Sequence, residues 1–195
     1  MARIAGSDGT KTKTAIIEAA LLLIAQSGFE ALTMRQLSAA VGLQVGALYY
    51  HFKDKQALLA YLLGRHFDRL LTEFGELKQQ DLPADRLVQF SRFHIQYHAN
   101  DRLNAMLATQ EMRSLDRTNA AILLKKRGNY ERQLRSILQD GVSHGSFKID
   151  ETALTTSGIL AYLTEIAIWF RPGGKQILDG MAQAQAAIIL KMVAA

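Results

Sequence analysis

The sequence predicts an all-α protein. Apolar residues recur at spacings of three and four, as in Ile16, Ala20, Leu23 and Ile24, and the pattern repeats to the C-terminus. This spacing places apolar side chains on one face of an α-helix. Almost no run of β-branched residues reaches strand length, and the 195 residues include only two prolines. Hydrophobic residues make up 49% and charged residues 21% of the chain, which excludes global disorder and predicts a folded core.

Capping residues and glycines divide the chain into nine predicted helices. Thr10 or Thr12 caps the first helix, and Gly28 ends it in the left-handed conformation that helix C-caps favour. Thr33 and Gln36 have the spacing of a capping box at the start of the second helix. The predicted helices span about residues 10–27, 33–41, 44–52, 55–80, 84–98, 102–114, 118–144, 151–170 and 175–193.

The composition excludes several protein classes. The chain has no cysteine, so disulfides and thiolate metal sites are excluded, which fits a reducing cytoplasm. Residues 1–10 lack the apolar segment of a signal peptide. The longest apolar stretches, such as residues 19–25 and 186–190, are shorter than the roughly 20 residues that span a bilayer. We therefore expect a cytoplasmic protein without a membrane segment. The net charge of +5 and the pI of about 9.5 favour a polyanionic partner.

The second and third predicted helices have the form of a helix-turn-helix. Gly42 permits the turn between them, and Leu37 and Leu48 are placed to lock the two helices together. Gly46 and Ala47 are small, so the third helix can approach a DNA groove closely. Phenol, imidazole and ammonium groups cluster after it and are able to donate hydrogen bonds to phosphate oxygens. This arrangement predicts a DNA-binding protein.

The same region resembles the TetR family of bacterial repressors. The segments GFEALTMRQL (residues 28–37), VGL (41–43) and GALYYHFKDKQALL (46–59) carry the resemblance, which covers about residues 16–62. It implies contacts with phosphates, with base edges and with the DNA near the start of the second helix. Lys53 is alternatively a solvated surface charge. The implied phosphate contacts are Thr33, Tyr49, His51 and Lys55, the residues that face or border base edges are Gln44, Val45, Gly46, Ala47 and Tyr50, and Met34, Arg35 and Lys53 complete the predicted DNA-binding set.

In this family the helices after the fourth form a ligand pocket, and the last two pair with a second copy of the chain. The sequence permits that arrangement, because the final helix is apolar around most of its circumference from Met181 onward. Such a helix buries more than one face, either inside its own protomer or, as we expect, in a homodimer. Several residues of this helix are expected to cross the two-fold axis, drawn from Ala184, Ala187, Ile188 and Ile189.

The effector is predicted from a looser resemblance. The junction WFRPGG (residues 169–174), the segment EMRSL (111–115), and Arg127 with Tyr130 and Glu131 resemble family members that respond to acyl-CoA, steroid-derived or aryl-CoA thioesters. An apolar pocket with arginines for the CoA phosphates suits such a ligand. The alternatives are an efflux-controlling repressor that senses a hydrophobic drug-like compound, and ordinary core and surface roles. The predicted pocket residues are Leu103, Met106, Leu107, Met112, Leu123, Ile159, Tyr162, Ile166 and Trp169, and the candidate phosphate-binding arginines are Arg92, Arg102, Arg113, Arg127 and Arg171.

Two histidines, His94 and His98, are four residues apart and therefore share one helix face. A carboxylate such as Asp101 or Glu111 would be needed to complete a metal site with them. Because two histidines alone are a weak signal, we expect them in the pocket or on the surface, and we predict no metal and no cofactor.

No enzyme motif is present. The sequence lacks a G-x-S-x-G nucleophile elbow, a P-loop, a G-x-G-x-x-G fingerprint and an H-E-x-x-H zinc motif, so no catalytic residue is predicted. The alternatives from other functional classes are a helical enzyme and a ligand-binding adaptor whose DNA-binding region is inactive. The intact run from Tyr49 to Lys55 argues against the adaptor.

We therefore expect a ligand-released repressor that binds a palindromic operator as a dimer. Its predicted parts are a flexible arm (residues 1–10), a helix-turn-helix domain (11–56) and a ligand-binding and dimerisation domain (57–195). The ligand-free dimer is expected to fit successive major grooves, about 34–36 Å apart. A ligand that prefers a wider spacing of the two heads would draw the population away from that state.

Overall fold

The computed structural model describes residues 8–171 and 173–195. Within these residues the chain forms nine α-helices and one short 3-10 helix, and its only β-structure is an isolated bridge between Phe147 and Ala194. The all-α prediction is confirmed. The helices are α1 (Asp8–Ala31), α2 (Met34–Ala40), α3 (Val45–His51), α4 (Lys55–Gly75), α5 (Pro83–Asn100), α6 (Arg102–Gln110), α7 (Arg117–Ser143), α8 (Thr152–Trp169) and α9 (Lys175–Val193), and the 3-10 helix Met112–Ser114 follows α6.

The predicted and observed helix boundaries differ most at the ends of α1, α4 and α6. α1 continues to Ala31, although Gly28 has the predicted positive φ, of 80°, and interrupts the helical conformation there. α4 ends at Gly75 rather than near residue 80, because Leu77 N donates to Phe74 O at 3.2 Å and tightens the last turn. Of the predicted N-terminal arm, residues 1–7 lie outside the described residues, and the rest forms the first turn of α1.

Local caps fix the helix-turn-helix. The predicted capping box is present, since Thr33 Oγ1 accepts from Gln36 N at 3.1 Å and Gln36 Oε1 accepts from Thr33 N at 3.0 Å. Gly42, at the turn, has a φ of 67°, which residues with a Cβ rarely adopt. Asp54 Oδ1 accepts from Ala57 N at 2.7 Å and starts α4. These side-chain bonds satisfy N–H groups that the first helical turns leave unpaired.

The head of the molecule consists of α1, α2, α3 and the first turns of α4. Ile16, Ala20, Leu37 and Leu48 are fully buried in its core. By length and mean hydropathy alone, residues 9–31 could cross a membrane, against our expectation that no apolar stretch is long enough. Ile16 and Ala20 of this helix are buried in the core of the head.

The body is built around α5, which packs against α7, α8 and α9. Leu87, Phe90 and Ile95 of α5 are fully buried there. α4 runs from the head into the body and packs against α6 and α7. The predicted domain boundary between residues 56 and 57 falls in the first turn of this helix. A shift of α4 in the body would therefore be transmitted directly to the head.

The C-terminal end of α7 requires a glycine. A Cβ added to Gly141 would lie 1.9 Å from Cδ2 of Phe147, whose ring is buried. We expect Gly141→Ala to lower the free energy of unfolding by about 1–3 kcal/mol through overpacking, as measured by urea denaturation. Gly128→Ala on the same helix is the matched control, since its Cβ would meet Arg132 at an ordinary 3.6 Å. The control should stabilise by up to about 1 kcal/mol. Equal effects of the two substitutions would show that Phe147 moves aside without cost.

Candidate DNA-binding surface and ligand cavity

Helix α3, the second helix of the helix-turn-helix, presents an outer face to solvent. Tyr50 is 88% exposed and Tyr49 is 49% exposed. Gly46 and Ala47, in the first turn of α3, are also exposed, and Gln44 is exposed at its N-cap. Five of the residues predicted to contact DNA are therefore accessible on one short segment.

Nothing within the protomer requires glycine at position 46. A Cβ built on Gly46 meets no heavy atom within 4 Å, and Gly46 is not among the glycines with positive φ. Neither packing nor backbone conformation explains the missing side chain. Close approach of a DNA duplex to the helix would account for it, since a side chain there would hold the backbone away from the groove.

The other predicted contacts surround this face. Arg35 and Lys53 are exposed, and Val45 is half-buried. His51, the last residue of α3, is half-buried with its ring edge-on to that of Tyr50, at a centroid distance of 5.4 Å. The exposed ammonium of Lys53 lies just beyond the end of α3, where a phosphate contact was predicted.

Three predicted DNA-binding residues already have partners within the head. Met34 is 8% exposed and belongs to the hydrophobic core, so its side chain packs inside the head rather than on the exposed surface. The hydroxyl of Thr33 is used in the capping box. Lys55 Nζ donates to Glu30 O at 3.0 Å and lies 4.4 Å from the ring centroid of Phe29. Lys55 thus holds the end of α1, and phosphate contacts by Thr33 and Lys55 stay predictions.

A cavity of about 350 Å³ lies in the body between α4, α5, α6, α7 and α8. This volume is within the range of small-molecule sites. The walls combine apolar side chains with imidazole, hydroxyl and charged groups. The cavity is lined by His66, Phe67, Leu70, His94, His98, Ala105, Ala108, Thr109, Arg127, Tyr130, Glu131, Ser157, Leu160, Ala161, Thr164 and Glu165.

None of the nine residues predicted to form the pocket lines this cavity. Apolar residues at helical spacing mark the faces along which helices pack, whereas ten of the sixteen residues that line the cavity are polar or charged; the predicted set stays a prediction. Of the five candidate arginines, Arg127 is at the cavity. Among the nine, Leu107, Leu123, Ile159 and Ile166 are buried in the core, Met106 and Met112 are half-buried, and Leu103, Tyr162 and Trp169 are exposed.

A network of buried histidines forms one wall of the cavity. The rings of His94 and His98 stack with centroids 4.0 Å apart. His94 Nδ1 lies 3.2 Å from Tyr130 Oη, and its Nε2 lies 3.1 Å from Thr164 Oγ1. A third histidine, His66 of α4, packs edge-on against His98 with centroids 5.5 Å apart. Neither His66 nor Thr164 was predictable from the helical spacing of His94 and His98, because neither lies on the same helix as that pair.

Burial keeps the imidazoles of this wall uncharged near pH 7. Burial, with help from nearby His98 and Arg69, lowers the pKa of His66 to about 3. Burial lowers the pKa of His98 to about 4, against the opposing effects of the His94 carbonyl and Asp101. The pKa of His94 is also well below its usual 6.5, chiefly through burial. The wall therefore offers neutral hydrogen-bonding groups rather than positive charge.

The acidic residues considered for a metal site have other partners. Asp101 Oδ2 lies 3.2 Å from Arg69 Nη1, and Glu111 Oε1 accepts from Phe29 N at 3.1 Å. In the part of the chain that the structure describes, no three histidine, cysteine, aspartate or glutamate side chains are arranged to hold a metal ion. The spacing of His94 and His98 instead serves the stacked pair in the cavity wall.

α6 connects the cavity to the head. Its Ala105, Ala108 and Thr109 line the cavity, and α6 packs against α1. Glu111, directly after α6, accepts a hydrogen bond from the backbone of Phe29 near the end of α1. A second link is made by Gln56, which donates to Ser114 O at 2.8 Å and accepts from the N–H of residue 116. A displacement of α6 would therefore reach the head through hydrogen bonds as well as packing.

Comparison with known proteins identifies the family. Residues 16–62 match the family model described as bacterial regulatory proteins, tetR family. Residues 80–193 match the model described as the tetracyclin repressor-like C-terminal domain. The chain belongs to the TetR family. As a TetR-family regulator it is a DNA-binding transcription factor and not an enzyme.

Individual relatives cover nearly the whole chain. The HTH-type transcriptional repressor KstR2 of Rhodococcus jostii strain RHA1 is 26% identical over 189 residues, which are 95% of this chain and 91% of the relative. The solved structure of the ketosteroid transcriptional regulator KstR2 of Mycobacterium tuberculosis matches with a TM-score of 0.85, 21% identity and coverage of 99% and 100% of the two chains. AibR, solved with isovaleryl coenzyme A and operator DNA, matches with a TM-score of 0.75, 22% identity and coverage of 89% and 97%. These two structures share the fold of this TetR-family chain.

Proposed function

We propose that this TetR-family chain is a homodimeric repressor that leaves a palindromic operator when a hydrophobic effector enters the body cavity. Residues 11–56 form the DNA-binding head and residues 57–195 the sensing and dimerisation body. The repressor acts in the cytoplasm, where bacterial DNA lies. The observation that carries the DNA-binding part is the exposed face of α3, with Gly46 at a position where the protomer has no need of glycine.

Dimerisation is supported by apolar side chains left exposed on the last two helices. Ile188 of α9 is 44% exposed, and Ala184 and Ala187 are exposed beside it. Ile189, which the sequence analysis placed with them, is fully buried in its own protomer, so it is not a candidate for the dimer interface. A second copy would cover the exposed side chains and match the symmetry of two half-sites. The large apolar side chains exposed on α8 and α9 are Leu154, Tyr162, Trp169, Ile177, Ile188 and Met192.

The effector class is supported by the relatives and by the cavity. KstR2 is named for ketosteroids, and AibR was solved with isovaleryl coenzyme A. A cavity of about 350 Å³ is large enough for the acyl portion of such a compound. We therefore propose an acyl-CoA or related hydrophobic metabolite as the effector. Binding would shift α6 and, through Glu111, the head, which favours a spacing of the two heads that does not fit the operator.

Two substitutions should distinguish a residue that recognises bases from a residue that contacts the phosphate backbone. Gln44→Ala should change the preference at one symmetric pair of operator positions by roughly 1–3 kcal/mol per contacted base pair and spare random duplex. Lys53→Gln should weaken binding to the operator and to random duplex by similar factors. It should also reduce the magnitude of the slope of log K against log salt concentration by about one. The measurement is fluorescence anisotropy with the operator selected from random duplexes, at several salt concentrations. Lys125→Gln on α7 is the control.

The selection itself tests the proposed function. A palindromic consensus recovered from random duplexes, and its release by acyl-CoAs in the same assay, would support a ligand-released repressor. Recovery of no consensus would contradict the DNA-binding proposal. Release by hydrophobic drug-like compounds but not by any acyl-CoA would contradict the effector class and favour an efflux-controlling repressor. A uniform loss from Gln44→Ala across all sequences would assign Gln44 to the backbone.

A further inference from the structure

The three histidines of the cavity wall differ in how many partners they have. Both ring nitrogens of His94 are within hydrogen-bond distance of hydroxyl groups. His98 Nδ1 lies 2.8 Å from His94 O, and because a carbonyl can only accept, Nδ1 carries the proton. In the neutral ring, Nε2 of His98 is then an acceptor; the hydrogen bond found for His98 among the described residues uses Nδ1, and Nε2 is not one of the fully buried unpaired atoms. His66 is 3% exposed, and its buried Nδ1 lacks a partner.

A fully buried polar atom without a partner, such as Nδ1 of His66, is unusual because it loses its hydrogen bonds to water on folding. His66 and His98 are neighbours with ring centroids 5.5 Å apart, and both line the cavity. A neutral His66 ring carries one N–H donor and one acceptor nitrogen. Together the two rings leave a donor and an acceptor for a molecule in the cavity.

We infer that the effector carries a hydroxyl group, which donates to Nε2 of His98 and accepts from the protonated nitrogen of His66. This inference rests on the proposed function, in which the cavity is the effector site. A hydroxyl group does both, whereas a ketone or thioester carbonyl only accepts. The ligand class is therefore a hydroxylated hydrophobic compound, of which a hydroxyacyl thioester is a member compatible with the proposed effector.

A carboxylate fits this wall poorly. The neutral rings offer it no positive charge, and Glu131 and Glu165 also line the cavity. The nearby Arg127 already donates through Nε to Glu131 Oε1 at 3.0 Å. A buried anion would stay largely unpaired, which is costly. The wall thus selects a neutral group over an anionic one.

The tautomer of His98 is the first test, and it needs no ligand and no variant. Long-range proton–nitrogen NMR of the full chain labelled with ¹⁵N-histidine distinguishes a protonated Nδ1 from a protonated Nε2. We expect the His98 signals of an Nδ1–H tautomer at pH 7. A protonated Nε2 would overturn the inference, because the acceptor it requires would be absent.

The second test compares three small probes that fit inside the cavity. Octan-2-ol donates and accepts, octan-2-one has the same skeleton and only accepts, and octanoate is anionic. We expect octan-2-ol to bind roughly fivefold more tightly than octan-2-one, the equivalent of one neutral hydrogen bond, and octanoate to bind most weakly. Binding is measured by ligand-observed NMR titration. A shift of the His98 Nε2 resonance in the ¹⁵N-histidine-labelled protein gives the site-specific signal.

His98→Asn isolates the proposed contact, because the asparagine amide can still donate to His94 O while nothing replaces Nε2. This variant should bind octan-2-ol and octan-2-one equally. His144→Asn is the matched control, since His144 Nδ1 lies 3.2 Å from Asp140 O with the same four-residue spacing, but on the surface. It should keep the preference of the wild type.

Equal binding of the alcohol and the ketone to the wild type, or a preference that survives His98→Asn, would overturn the inference. Operator binding is measured on the same samples without a probe. A failure of the hydroxyl preference with operator binding intact would leave the proposed repressor function standing. Loss of operator recognition by the wild type would instead contradict that function.

Discussion

Ile188→Asp should convert the protein to a monomer that binds its operator about 10²–10⁴-fold more weakly than the wild type. Ile188 is 44% exposed in the protomer, so the carboxylate costs little in an isolated chain. In a symmetric interface the same change would bury two unpaired carboxylates. A monomer loses the effective-concentration gain of two linked half-sites, which accounts for the expected loss of affinity. Sedimentation velocity and operator titration measure the two effects.

The matched control is Ile122→Asp on α7, at a side chain that is 55% exposed. It introduces the same charge on a helix outside the proposed interface, so the variant should remain dimeric and bind the operator like the wild type. The head should keep its fold in both variants, because its core residues Leu37 and Leu48 are far from α9 in sequence and pack with α1. A folded Ile188→Asp protein that sediments as a dimer with full operator affinity would place the interface elsewhere.

Acidification from pH 7 to pH 5 should lower the free energy of unfolding by about 2 kcal/mol for each of the buried cavity histidines His66 and His98, and His94 should act in the same direction. In the unfolded chain these rings take up protons near pH 6.5. In the folded chain the pKa values are about 3 for His66, about 4 for His98 and well below 6.5 for His94. The unfolded state therefore binds more protons between about pH 4 and 6.5, so stability falls as the pH falls through that window and is constant above it.

A single substitution separates this effect from the titration of carboxylates. His66→Phe keeps a ring among Phe67, Tyr97 and His98, with which His66 makes aromatic contacts. Urea denaturation at fixed protein concentration should give a loss between pH 7 and pH 5 that is about 2 kcal/mol smaller for this variant than for the wild type. His144→Asn, at an exposed position, should follow the wild-type curve. Parallel curves for His66→Phe and the wild type would show that His66 is protonated in the folded state.

Helix positions were predictable because their signals are local. The capping box at Thr33 and the turn at Gly42 depend on residues within three or four positions, and the structure has both. The end of α4 was missed by five residues, since Gly75 does not adopt the left-handed conformation that marks a helix C-cap. The family was predictable too, because the run from Gly46 to Leu59 combines helix, turn and surface requirements in a fixed order.

The cavity was not predictable in the same way. Leu123 and Ile166 have the apolar character of pocket residues and lie in the core, whereas the residues that line the cavity include His66 and Thr164 from two separate helices. The position of Met34 in the head core, and of Lys55 on the carbonyl of Glu30, likewise depends on neighbours that are distant in sequence.

By itself, the sequence determined that the protein is all-α, where its helices begin, and that its first sixty residues carry a TetR-type DNA-binding unit, because these properties follow from helical periodicity, caps and short-range motifs. Only the tertiary structure decided which side chains of the head are exposed, which line the cavity and which are bonded to other residues inside the head. Helical spacing specifies which residues share a face, but the helix that packs against that face is set by long-range contacts. That packing brought His66, His94 and His98 together and left Nδ1 of His66 buried without a hydrogen bond.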